Sequence, residues 1–74
     1  MTRDTAVQLA RQALANESIQ GFEFLRAAHE IRDSRTIWLV IFALKEEPGV
    51  VTTPDTVFVE VDEGTEAARV IRNP

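Results

Sequence analysis

Eight consecutive apolar residues, Ile37–Leu44, sit in the middle of a chain of 74. The run is far shorter than the roughly 20 residues a helix needs to cross a bilayer. Its β-branched and aromatic content favours a strand over Thr36–Lys45. A strand covered on one face alternates apolar and polar residues, whereas an unbroken run asks for cover on both. A domain this small buries only about 60% of the surface its unfolded chain exposes, so two covering layers are hard to supply. What lies on the second face of this strand is the question the sequence raises.

The remaining elements arrange themselves around that strand. Ala6, Leu9, Ala10 and Ala13 recur at helical spacing, with Val7 and Leu14 widening the stripe, and predict a helix over about Asp4–Ala15. Thr5 with Gln8 fits a capping box, Asp4 is an alternative cap, and Asn16 suits the left-handed position at the end. The small alanines keep this face flat enough to lie close to a sheet. Residues 22–31 admit two readings. Phe24, Ala27, Ala28 and Ile31 keep helical spacing, while a Phe-Glu-Phe-Leu opening after Gly21 fits a strand. Strand is the expectation, because "RDSR" before Thr36 suits a hairpin. As a strand it would put Leu25, Ala27, His29 and Ile31 on one face, and Phe22, Phe24, Arg26 and Ala28 on the other.

"EEPGVVTTPD" reads as a loop, with Pro48-Gly49 a turn signal and Pro54 excluding a central strand. "TVFVEVDEG" then alternates, with Val57, Val59 and Val61 on one side and Phe58, Glu60 and Asp62 on the other. "DEGT" turns, and the chain returns as a short strand through Ala68–Arg72, a helical turn being the competing reading. The expected fold is a single α+β domain over 1–74, an N-terminal helix on a four-stranded antiparallel meander.

Composition bounds the function. The net charge is −4, from twelve acidic and eight basic residues, and the basic residues are scattered, which disfavours nucleic acid as a partner. The absence of cysteine excludes disulfides and thiolate chemistry. Arg3, Asp4 and Arg11 interrupt the first apolar segment, so it lacks the core of a signal peptide. The expectation is a soluble, cytoplasmic protein with no membrane partner.

Helix, then "W-x-V-x-F" at Trp38, Val40 and Phe42, then "VFVEVDEGTEAARVI", resembles the small cystatin-like modules of the PepSY type. The pattern is also similar to small bacterial toxin-immunity proteins of the same helix-then-meander layout. The likeness spans about Asp4–Ile71 and rests on short apolar motifs. Such modules often carry Thr-Gly after the aspartate, whereas Gly64 precedes Thr65 here, which leaves the register of that turn open. The resemblance implies a helix wrapped by a sheet and a role in binding or inhibition without catalysis. It also implies that Trp38, Val40 and Phe42 pack under the helix with Leu25 and the valines of 57–61. Ile37, Leu39, Ile41 and Ala43 would then occupy the open face, with Phe58 and Phe24 nearby.

The residues themselves argue against an enzyme. His29 is the one histidine, and no nucleophile motif accompanies it. One histidine without cysteine cannot make an all-N/S zinc site, and "DEGTE" is too short for a twelve-residue calcium loop. The three glycines are isolated turn residues rather than a phosphate cradle. No catalytic, cofactor-binding or metal residue is therefore assigned. Contiguous apolar surface marks an interaction site, so Ile37, Leu39, Ile41, Phe58 and Phe24 are the expected contacts for a protein partner or for a second copy in a homodimer, with an edge strand of the open sheet as the other route for a non-enzymatic binding or inhibitory module. The bland alternative is that the 45–54 loop or the tail folds over this face. A different reading makes the protein an immunity protein, neutralising a basic toxin through Glu46, Glu47, Asp62, Glu63 and Glu66, with salt weakening the complex.

Overall fold

The computed structural model describes residues 1–44 and 56–71. Within them the order is α1 (Arg3–Asn16), β1 (Phe22–Arg32), β2 (Arg35–Leu44), β3 (Thr56–Asp62) and β4 (Ala68–Ile71). The strands form one antiparallel sheet in the order β1-β2-β3-β4, with α1 packed on one face. This is the expected α+β layout, and residues 22–32 are strand. The 46–55 loop expected from "EEPGVVTTPD", including Pro48-Gly49, Pro54 and the acids Glu46 and Glu47, lies outside the described residues. So do Lys45 and Arg72, the expected ends of the second and last strands.

The helix begins earlier than its apolar pattern suggests. Thr2 is the N-cap, and its Oγ1 accepts from the Thr5 N–H at 3.2 Å; Thr5 is therefore inside the helix rather than capping it. A side-chain oxygen three residues ahead satisfies an N–H that has no partner in the first turn. Asn16 is the last helical residue, and the left-handed residue is Ser18 (φ 57°). The Ile19 N–H then donates to Leu14 O at 2.9 Å, and Ile19 tucks against the core.

Ala6, Ala10 and Leu14 form the buried stripe of α1. They meet Val40 and Phe42 of β2 and Val57, Val59 and Val61 of β3, and this cluster is the core. Partly buried Trp38 and Val70 extend it. The expectation that Trp38, Val40 and Phe42 face the helix therefore holds.

β1 breaks its alternation once. Phe24 pairs with Phe42 but Arg26 pairs with Ile41, so Leu25 is an extra residue in a β-bulge. The bulge puts Phe22 and Phe24 on the helix side together with Ala27, His29 and Ile31, while Arg26, Ala28 and Glu30 face away. Two expectations are corrected by it. Leu25 is 58% exposed rather than packed under the helix, and Phe24 sits in the core, its ring edge-on to Phe42 at 6.2 Å. The physical reason is apolar area: with one residue bulged out, Phe22 and Phe24 both pack against the core, which buries more apolar surface than Leu25 alone would. After the bulge the pairing is regular down to the two-residue turn at Asp33-Ser34. Both turn residues are left-handed (φ 49° and 65°), which matches the twist of the strands.

Candidate functional site

The face opposite α1 carries Ile37, Leu39, Ile41 and Ala43 of β2 beside Phe58 of β3, as register requires: Ile41 pairs with Phe58, and Leu39 with Glu60. Among the described residues no helix or strand lies over it. Four of the five expected contact residues thus share one face, and Phe24 is on the other. The face is not a bare apolar patch, however. Ile37, Leu39 and Phe58 are half-buried and Ile41 is only 7% exposed.

A row of charges accounts for much of that cover. Arg32 of β1 reaches across β2 near Ile37 to Glu60 of β3, with Nη1 and Oε1 2.6 Å apart, and also contacts Glu30. Glu60 meets Arg69 of β4 at 3.3 Å, and Arg35 lies 3.6 Å from Asp62. The two carboxylates on Arg32, Glu60 ahead of Glu30, raise its pKa above its already high ordinary value, so it stays charged. Side chains this long cover apolar surface with their methylenes while their charged ends stay in water. The apolar run of β2 is thus covered on one face by a helix and partly on the other by an ion-paired row.

The acidic turn is largely occupied by its own chain. Asp62 Oδ1 accepts from the Gly64 N–H at 2.8 Å and the Thr65 N–H at 3.3 Å. The Asp62 N–H donates to Ala67 O at 2.9 Å and the Glu66 N–H to Asp62 O at 2.7 Å. Glu66 takes the left-handed position (φ 59°), so the turn is set by Glu66 rather than by Gly64. A shallow cleft of about 370 Å³ lies between this turn and the β1–β2 turn, lined by Ser34, Arg35, Thr36 and residues 62–65.

Glu63 belongs to a second cluster, on the helix side. Its carboxylate lies 2.7 Å from the Met1 amino group and 3.4 Å from His29 Nε2. His29 stacks on Trp38, with centroids 4.4 Å apart at 28°. The Trp38 indole N–H is buried with no hydrogen-bond partner among the described residues. The Met1 amine is the main cause lowering the Glu63 pKa below the ordinary 4.5; partial burial opposes it, and His29 adds to the lowering. A depressed carboxylate contributes stability above its ordinary pKa and loses it as pH falls through the lowered value. Glu63→Gln should therefore be less stable than the wild type at pH 7. The gap should close as pH falls below the ordinary carboxylate range and through the lowered value, as seen in urea midpoints measured from pH 7 downward. A gap that persists at low pH would mean that the carboxylate does not act through its charge.

β1 is the outer strand of the sheet and the least covered by α1. It also carries both exposed large hydrophobic side chains found among the described residues, Leu25 (58%) and Ile31 (76%). Sequence reasoning offered a sheet edge as a route without saying which of the two or naming its residues. Its signal was present in the near-even spacing of Leu25 and Ile31 about Ala28, but their exposure depends on the bulge and on where α1 lies. No family model, curated protein or solved structure matches the chain.

Proposed function

We propose that this protein is a non-catalytic binding module that takes an extended strand of its partner onto the β1 edge. One observation carries the reading: the two exposed large apolar side chains both lie on an eleven-residue outer strand whose far edge pairs with nothing in the described chain. Backbone hydrogen bonds along such an edge supply affinity, and side chains on alternate positions supply selectivity. A binding role without catalysis is also what the PepSY-like resemblance implies. The open face of Ile37, Leu39, Ile41 and Phe58 has less support as the contact, because these residues are half-buried or buried beside an ion-paired row. The toxin-neutralising reading has less support too, since Asp62 and Glu63 are already engaged by Arg35, the turn amides, Met1 and His29.

The test is affinity capture with three baits: wild type, Leu25→Lys/Ile31→Lys, and Leu39→Lys. Binding lost with the double variant and kept with Leu39→Lys supports the β1 edge. The opposite pattern moves the contact to the open face. Binding that resists both changes but dissolves in salt points to the acidic surface and overturns the proposal.

A further inference from the structure

We infer that the strand taken by β1 is the β1 of a second copy, paired antiparallel about a two-fold axis at Ala28; this rests on the edge-binding reading above. A two-residue hairpin closes on a hydrogen-bonded pair, here Arg32 with Arg35. Counting back from it, Ile31, His29 and Ala27 turn their N–H and C=O groups away from β2, toward the open edge. A symmetric partner must match these outward residues with its own, so the axis passes through a residue rather than between two.

Three positions of that axis are worth comparing. With the axis at Ala27, Glu30 meets Phe24, Arg26 meets Ala28, and Leu25 meets His29. With the axis at His29, Arg26 faces Arg32, two like charges directly opposed, which destabilises a sheet. With the axis at Ala28, Arg26 faces the other copy's Glu30, which Arg32 of its own chain also contacts, and Ile31 comes opposite the bulge that carries Leu25, each occurring twice by symmetry. Arg26 and Glu30 both lie on the face away from α1, so the opposite charges meet on one side of the joined sheet. Ala28 meets its own counterpart at a non-hydrogen-bonded position, where strands approach to about 4.5 Å between Cα atoms and a small side chain fits.

The same register covers what is otherwise a hazard. A long edge with exposed leucine and isoleucine invites uncontrolled pairing, and a two-fold pairing closes it, leaving β4, four residues long among the described residues, as each copy's other edge. The product is an eight-stranded sheet with one helix per copy, an isologous contact of the commonest symmetry.

The experiment uses the absence of native cysteine. Ala28→Cys should oxidise to a covalent dimer at least tenfold faster than Gln12→Cys on the exposed side of α1, because the Cα separation of such a pair suits a disulfide. Light scattering across a concentration series should show a dimer. Arg26→Glu should weaken it about tenfold by opposing like charges twice, and Arg26→Glu/Glu30→Arg should restore it. Circular dichroism of each variant confirms that it is folded. A monomer at millimolar concentration, or Ala28→Cys no faster than Gln12→Cys, overturns the self-pairing. If capture by the β1 edge still responds to Leu25→Lys/Ile31→Lys in that case, the binding proposal stands with a different strand as its occupant.

Discussion

Replacing Phe42 with alanine is expected to cost about 3–5 kcal/mol, the range for emptying a buried phenylalanine site. Phe42 is 1% exposed and packs with Ala6, Ala10 and Leu14 of α1, the β3 valines and the edge of the Phe24 ring. Small domains sit near the lower end of the usual 5–15 kcal/mol of total stability. The variant should therefore populate its unfolded state heavily at room temperature, which urea denaturation followed by circular dichroism will measure. Phe58 makes the informative control. It is the same residue type in the adjacent pairing, but on the face without a helix and half-buried. Phe58→Ala should lose well under half as much. Equal losses would mean that the second face is as fully covered as the first.

Ala10→Leu should destabilise by about 1–3 kcal/mol although it adds apolar volume and keeps helix propensity. Ala10 is fully buried at the centre of the helix–sheet contact, where α1 approaches the sheet closely because its side chains are methyl groups. Three further carbons there must push α1 off the valines or force side chains from their preferred rotamers. Ala15→Leu, on the exposed side of the same helix, should be near neutral. The comparison by thermal or urea unfolding separates overpacking from propensity. A stabilised Ala10→Leu would show that the contact holds a void.

These two contrasts mark how far the sequence could be read. The α1 stripe, the strand at 35–44 and the alternation of 56–62 were all legible, because apolar residues at periods of 3.6 and 2 report which side each element buries. The hairpin at Asp33-Ser34 was legible too, and with it most cross-strand pairs. Trp38 and His29 are equidistant from that turn and so stack. The caps were misplaced by three residues at one end and two at the other, since several polar residues near each end could cap and only backbone geometry selects one.

Phe24 and Leu25 were assigned to the wrong sides for a different reason. A bulge of one residue inverts every assignment beyond it, and nothing in "FEFLRAAHEIR" says where the inversion falls. That choice shows only once helix and sheet are docked, when Phe24 turns in against Phe42 and Leu25 stays exposed. The apolar run of β2 teaches the same lesson. Its need for cover on two faces was written in its composition. Part of that cover, near Ile37, comes from Arg32, Glu60 and Arg69, residues on three different strands that meet only when those strands are side by side. The sequence by itself thus determined the helix, the strands after residue 35 and their order, because these follow from local periodicity and turn chemistry, whereas the helix-facing side of the unbroken apolar strand came only from the resemblance. Tertiary structure alone decided the bulge, the ion-paired row and the exposed edge of β1, because each depends on volumes and distances between residues far apart in the chain.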